Sequence, residues 1–327
     1  MKMNSSETEI INIIKNAQNI LVAPHVNPDG DCIGSAIAMK LLLKKEFGKE
    51  AVLFIQSKVP EVYKFLAETD SFKTAEELQN QTFDLVIAVD CAAYDRLTTA
   101  IPFFEKAEKT IVFDHHKTNP AYAKFNYILP DLSSTGEVLF NFMQKTGLSF
   151  DKDIADALYV AILTDTGGFK FDNTTTNTFL AVAELLKYGI NPSELYKKCY
   201  ESKPVEMVKL SALAVNNAKF LYDNKVVYTI ITLDDMKKTK ALNEHTDGIV
   251  ELLRQINTVD LAFLIKETED GCAKVSFRSK TFDVTKIASK FDGGGHTKAA
   301  GCTIRKNYTV ALNKILEAIK EEADFAQ

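Results

Sequence analysis

Two short runs constrain this 327-residue chain more than anything else in it. Asp84–Val89 (DLVIAV) and Thr110–Phe113 (TIVF) are β-branched and almost wholly apolar. Strands of this kind are buried on both faces, as in a parallel sheet covered by helices. Asn19–Val22 and Ala51–Ile55 read as companion strands. Helical patterns lie between and after them, through Ile33, Ala36, Ile37, Met39, Leu41 and Leu42, and again over Gly136–Lys145, Lys152–Leu163 and Thr176–Lys187. This alternation predicts an α/β domain, doubly wound around a parallel sheet.

The same runs place the chemistry, because open α/β sheets put their ligand sites just past the carboxyl ends of the strands. His25-Val-Asn-Pro-Asp29-Gly-Asp31 follows the first strand, on a turn built by Pro28 and Gly30. Asp90 ends DLVIAV, Asp114-His115-His116 ends TIVF, and Asp165-Thr-Gly-Gly follows the helix 154–164. Taken singly, each has an ordinary reading as a turn, a polar strand end or a loop, since Asp and Gly favour such positions. Together they form an oxygen-and-imidazole set without thiolates, which suits Mn²⁺ and, less well, Mg²⁺, Co²⁺ or Zn²⁺. The carboxylates Asp29, Asp31, Asp90 and Asp165 balance two divalent cations. Such a pair can hold a bridging water, lower its pKa and stabilise charge on a phosphoryl oxygen.

The second half begins after Asn191-Pro192 and a charged helical stretch. Residues 1–190 are expected as a metal-binding catalytic domain, 191–220 as a helical connector and 221–327 as a smaller mixed α/β domain across a cleft. Val226–Thr232, Leu261–Lys266 and Cys272–Arg278 read as strands, and Thr246–Gln255 and Val310–Glu322 as helices. Arg278-Ser279-Lys280 and Gly293-Gly294-Gly295-His296, a loop before Lys298, offer a bidentate cation and a backbone that can approach a phosphate closely.

These segments resemble the DHH phosphoesterases, named for the tripeptide found here at 114–116. HVNPDGD, VDCA, DHH and DTGG occur in the family's order, and the glycine run ending in His296 is similar to the associated DHHA1 domain. Asp292 stands where relatives often have another glycine. The resemblance implies one metal held by His25, Asp29 and Asp90, and a second by Asp31, Asp90, His115 and Asp165, so that Asp90 bridges. It implies a catalytic His116 facing the ester, Asp114 orienting a histidine behind it, and nucleotide binding by Arg278, Ser279, Gly293, Gly294, Gly295, His296 and Lys298. Chains with only these two domains look like the nanoRNase and pAp phosphatase group, which degrades RNA fragments of a few nucleotides and dephosphorylates 3′-phosphoadenosine 5′-phosphate (pAp). The implied cofactors are two divalent metal ions, Mn²⁺ first, with Mg²⁺ or Co²⁺ as alternatives. Implied partners are short RNA or DNA oligonucleotides, pAp or dinucleotides, with a homodimer left open. A phosphodiesterase for cyclic or linear dinucleotides (c-di-AMP, pApA) is the closest rival, and a non-catalytic nucleotide sensor a remote one.

The bulk numbers exclude some partners. A formal charge of −5 and a pI near 5.7 argue against long duplex nucleic acid, which needs a broad positive surface. No apolar run approaches the ~20 residues that cross a bilayer. Cys32, Cys91, Cys199, Cys272 and Cys302 are scattered and odd in number, as expected for reduced thiols in a cytoplasmic protein.

Overall fold

The computed structural model describes residues 4–322. The backbone divides between Ser202 and Lys203 into two compact units.

The first unit is built on α1 (Glu7–Asn16), β1 (Ile20–Pro24), α2 (Gly30–Phe47), β2 (Ala51–Phe54), β3 (Phe72–Lys73), β4 (Leu85–Val89), α3 (Ile101–Lys106), β5 (Lys109–Asp114), β6 (Phe125–Ile128), α4 (Thr135–Thr146), α5 (Lys152–Asp165), α6 (Thr176–Leu185) and α7 (Pro192–Tyr200). Its sheet has the order β3-β2-β1-β4-β5-β6, with every pairing parallel. The order reverses between β1 and β4, the position at which α/β sheets open a crevice. Strand alternation explains the apolar runs. Ile20, Val22, Leu85, Ile87, Val89, Ile111 and Phe113 enter one core with α2, α4 and α5. Leu21, Ala23, Val86, Ala88 and Val112 enter another, with Leu97, Ala100 and Phe104. Both faces are covered, so the strands are mostly apolar, and the buried polar residues among them are hydrogen-bonded: Thr110 Oγ1 accepts from Lys124 N and Asn126 Nδ2 donates to Ala123 O.

On the first face the helices approach each other unusually closely. A Cβ placed on Gly34 of α2 would lie 2.4 Å from the carbonyl oxygen of Ala157 in α5, and one on Gly136 of α4 would lie 2.5 Å from Ala161 Cβ. Only glycine allows backbones this near. The contact brings the first turns of α2 and α4 to the last turn of α5.

The second unit contains α8 (Val205–Asn216), β7 (Lys219–Leu221), β8 (Val226–Ile231), α9 (Leu233–Thr239), α10 (Ile249–Arg254), β9 (Leu261–Glu267), β10 (Ala273–Ser279), α11 (Thr285–Ala288), β11 (Gly294–His296), β12 (Ala299–Ile304) and α12 (Tyr308–Glu322). Its mixed sheet runs β11-β12-β10-β9-β8-β7. The pair β8–β9 is parallel, because α9 and α10 form the crossover between them. Phe263, Val275, Phe277, Ile315 and Ile319 make one core of this unit, and Leu210, Val227, Ile249 and Leu253 the other. The stretch expected as a connector holds α7 and α8, which fall in different units. The glycine run differs from its expected form as a loop. It is an edge strand, with Gly294 paired to Gly301 and His296 to Ala299.

Candidate metal centre

Each candidate ligand is carried to the carboxyl edge of the first sheet by the element before it. His25 follows β1 and is buried. Asp29 is the N-cap of α2, where its Oδ1 accepts from Cys32 N at 3.1 Å. Asp31, in the first turn of α2, is fully buried. Its Oδ2 accepts from Thr135 N at 2.7 Å and its Oδ1 from Gly136 N at 2.8 Å. Those are unpaired donors at the start of α4, so one helix supplies the acid that closes the N-terminus of another.

Asp90 ends β4 in a left-handed conformation, with φ of 56°. That region is sparsely populated outside glycine, although Asp tolerates it. The strain is held in place by Asp90 N bonding to Phe113 O at 3.0 Å, and by Thr135 Oγ1 donating to Asp90 Oδ1 at 3.0 Å. Asp165 is the last residue of α5.

These side chains converge. His115 Nε2 lies 3.5 Å from Asp165 Oδ2, 3.7 Å from Asp90 Oδ1 and 3.9 Å from Asp31 Oδ2. His25 Nε2 lies 3.4 Å from Asp90 Oδ2. Such separations are long for hydrogen bonds. Two ligand atoms each ~2.1 Å from a metal stand roughly 3–3.5 Å apart when adjacent and up to ~4.2 Å when opposite, so the 3.4 and 3.5 Å pairs match adjacent ligands and the 3.7 and 3.9 Å pairs lie between the two limits. Ligand-capable atoms of Asp31, His115 and Asp165 lie within 4.8 Å of one another, as do those of Asp90, His115 and His116. The same holds for His25, Cys32 and Asp90. The Cys32 thiol is an unsuitable ligand: burial pushes its pKa well up, and it is engaged with His25 N and Val89 O. Asp29 joins none of these groupings among the described residues.

The charges of the cluster point to the kind of group it would hold. Burial raises the Asp31 and Asp90 carboxyls well above the usual range, and their acidic neighbours add to it. Asp165 is pushed up to about 7 by burial and then by Asp29. His115 is lowered to about 4 by burial and by the charge of His116, so it is neutral at neutral pH, as a metal ligand must be. Crowded carboxylates beside a neutral imidazole, only partly offset by the charge of His116, fit divalent cations, and Asp90 contributes an oxygen to each side of the cluster.

His116 is in a different state. Its Nδ1 donates to Asp114 Oδ1 at 2.7 Å. Burial opposes its charge, but the Asp114 bond and the surrounding acids lift its pKa to about 9. Asp114 is itself fixed, accepting from His115 N at 2.9 Å and Asn119 Nδ2 at 2.6 Å. Adjacent histidines thus have opposite protonation states.

Three supporting residues were not legible as such in the sequence. Thr135 and Asn119 hold Asp90 and Asp114. Arg96 Nη2 approaches His25 Nδ1 at 2.9 Å, while the Arg96 main chain accepts from Val26 N at 3.0 Å. Ser134-Thr-Gly-Glu137 carries the one available signal, the pattern of a helix-capping box.

In the second unit, cross-strand pairing puts His296, Ala299 and Arg278 on one rung and therefore on one face of the sheet. Arg278 Nε donates to Glu251 Oε1 at 2.7 Å. Ser279 is not brought together with them. It is fully buried on the opposite face, and its Oγ has no hydrogen-bond partner. Lys298 Nζ reaches the Thr281 carbonyl. Of the glycines, Gly293 and Gly295 are required by the main-chain oxygens of Gly301 and Ala299, which a Cβ would meet at 2.3 and 2.4 Å, whereas a Cβ on Gly294 would meet nothing within 4 Å. Gly294 is thus the position open to close approach by a ligand. Asp292 has φ of 55°, a left-handed conformation that a glycine would adopt without strain.

Comparison with known proteins agrees with this geometry. Residues 19–162 match the DHH family, N-terminal domain, and residues 223–324 match the DHHA1 domain. The "Bifunctional oligoribonuclease and PAP phosphatase NrnA" of Thermus thermophilus is 30% identical over 306 residues, covering 93% of this chain and 90% of the relative. The protein of the same name from Bacillus subtilis is 28% identical over 303 residues, covering 91% and 93%. A crystal structure of an exopolyphosphatase-related protein from Bacteroides fragilis shares the fold, with a TM-score of 0.91 at 23% identity over 96% of this chain and 95% of that one. With its DHH motifs gathered in one cluster and a DHHA1 domain following in the sequence, the chain belongs to the DHH family of phosphoesterases.

Proposed function

We propose that this protein hydrolyses short oligonucleotides and pAp with two divalent ions, Mn²⁺ by preference, and that it works in the cytoplasm. The observation that carries the reading is the convergence of Asp31, Asp90 and Asp165 on His115 Nε2, at 3.5–3.9 Å. His25, Asp31, Asp90, His115 and Asp165 would hold the ions, with Asp29 at the rim. When bound, the ions supply Lewis-acid stabilisation of the phosphoryl oxygens and an activated water. The chain's own residues do the rest. Thr135 and the α4 N-terminus keep Asp90 and Asp31 oriented. His116, charged through Asp114, delivers its proton to the leaving oxygen. In the 221–327 domain, Arg278, His296 and the open backbone at Gly294 hold the terminal nucleotide, with Lys298 and the Ser279 main chain beside them. Similarity to relatives named for oligoribonuclease and PAP phosphatase activity supports the substrate class. Five free cysteines support the compartment. Among the described residues no helix is long and apolar enough to cross a membrane.

The test is hydrolysis of a 5-mer RNA, pAp, pApA, c-di-AMP and pyrophosphate by metal-stripped protein, with and without Mn²⁺, beside an Asp90→Ala control. Mn²⁺-dependent release of mononucleotides or phosphate, lost in the control, is the expected result. Cleavage confined to c-di-AMP or pApA would make it a dinucleotide phosphodiesterase. Binding without any turnover would make it a sensor.

A further inference from the structure

Just beyond Asp165 the chain turns through Gly167 and Gly168, with φ of 58° and 73°. A ring lies against each glycine. A Cβ on Gly167 would stand 2.4 Å from Phe171 Cζ, and one on Gly168 would stand 3.3 Å from Tyr196 Cε2. Gly167 and Gly168 are two and three residues from Asp165, so the Cα atoms the rings lie against are within roughly 7 and 11 Å of that candidate ligand's Cα. Both remain open to water: Phe171 is 53% exposed and Tyr196 38%.

The rings stand on an ordered base. Phe171 N donates to Thr166 O at 3.1 Å, and the Asn173 amide ties the turn to Ser133 O at 2.9 Å and Asp165 O at 3.2 Å. Tyr196 packs on Tyr200 at 4.9 Å between centroids, and the Tyr200 hydroxyl donates to Leu163 O at 3.1 Å in the last turn of α5. Fixed aromatic faces, exposed beside a phosphate-cleaving centre, are what single-stranded nucleic acid stacks upon. Every base has a π-face, so such contacts tolerate any sequence.

We propose that Phe171 and Tyr196 form a stacking subsite for nucleobases of a short single strand, beyond the nucleotide whose phosphate is attacked. This rests on the phosphoesterase reading above, and it separates oligonucleotides from pAp, which has one base. The alternative occupant is a second copy of this chain, because Phe179 and Leu180 on nearby α6 are exposed as well.

The experiment is steady-state kinetics of full-length Mn²⁺-loaded protein on a 5-mer RNA and on pAp, for Phe171→Ala, Tyr196→Ala, Phe171→Leu and Phe171→Tyr. Leu keeps an apolar group on Gly167, and Tyr restores the ring. The expected result is a KM for the 5-mer raised roughly 5- to 150-fold by Ala and Leu, the span of one lost base stack, with recovery in Tyr. The rise for pAp should be several-fold smaller. Equal losses on both substrates, or a fall in kcat alone, would assign the rings to holding Asp165 and overturn the subsite. A changed particle mass in light scattering with KM untouched would assign them to self-association, also against the proposal. If the wild type cleaves no nucleotide, the phosphoesterase reading has failed by itself. Anisotropy of a labelled 5-mer then decides the subsite: a Kd weakened in Phe171→Ala upholds it, an unchanged Kd removes it.

Discussion

Gly34→Ala sets two well-known effects against each other, and the structure decides the sign. On helix propensity alone, Ala in a helix interior is better than Gly by about 1 kcal/mol, so the variant should be more stable. In α2, however, the new methyl would lie 2.4 Å from Ala157 O and 3.1 Å from Ala161 Cβ. Ordinary contact is ~3.4 Å, so α2 and α5 must separate by roughly 1 Å, or bend. Overpacking of this kind costs about 1–3 kcal/mol, and the contact is with main chain, which yields least. A main-chain clash belongs to the upper part of that range, about 2–3 kcal/mol, so the net expectation after the propensity gain of about 1 kcal/mol is a loss of about 1–2 kcal/mol. For a unit of this size, that is a fall in Tm of roughly 2–8 °C, at about 2–4 °C per kcal/mol. The displacement reaches the candidate metal centre, because Asp31 lies one turn before Gly34 and Asp165 ends α5. A misplacement near 1 Å can cost ~10²-fold in turnover. Thermal unfolding followed by circular dichroism, with initial rates on a 5-mer RNA, measures both. A raised Tm with retained turnover would refute the close-packing argument, because it is what propensity alone predicts.

Two further perturbations probe the centre itself. Thr135→Val is nearly isosteric and removes the 3.0 Å bond to Asp90 Oδ1. Metal affinity by calorimetry should fall ~10–100-fold with the fold intact, the usual effect of losing a ligand's orienting partner, and an unchanged affinity would deny Thr135 that role. In the metal-free protein, the folded His116 pKa of about 9 lies above the unfolded value of ~6.5. Its contribution to stability is therefore full below pH ~6.5 and is lost as pH rises through about 9. With chelator present, Tm should fall between pH 6.5 and 9, with Asp165, raised to about 7, adding to the fall only at the lower end, and Asp114→Asn should flatten the upper part of that slope. A slope that survives the substitution would place the titration elsewhere.

Much of the first unit could be read from its strands. DLVIAV and TIVF alternate between two cores, so both sets of side chains are apolar and the pattern could only be a covered parallel sheet. The candidate ligand types were equally legible, because each follows a strand or helix end. Short elements were not. Phe72–Lys73 and Phe125–Ile128 are too brief or too mixed in polarity to declare themselves, and they pair because neighbouring strands offer open edges. The glycine run reads as a loop by composition and becomes a strand through its pairing with β12. His245 lies outside every motif, and it is buried, with Nδ1 accepting from Leu242 N at 3.1 Å.

The order of apolar runs and the residues that end them belong to the sequence, because burial on both faces and the chemistry of carboxylate and imidazole depend on residue type alone. The assembly of the centre belongs to tertiary structure. Asp31 meets Thr135 and Gly136 across more than a hundred residues of chain. His116 and His115 are the same side chain at adjacent positions, yet one is raised to about 9 and the other lowered to about 4. What separates them is which one bonds Asp114 through its ring and which is the more deeply buried beside a charged neighbour. That is a matter of distance and burial, which only the folded chain supplies.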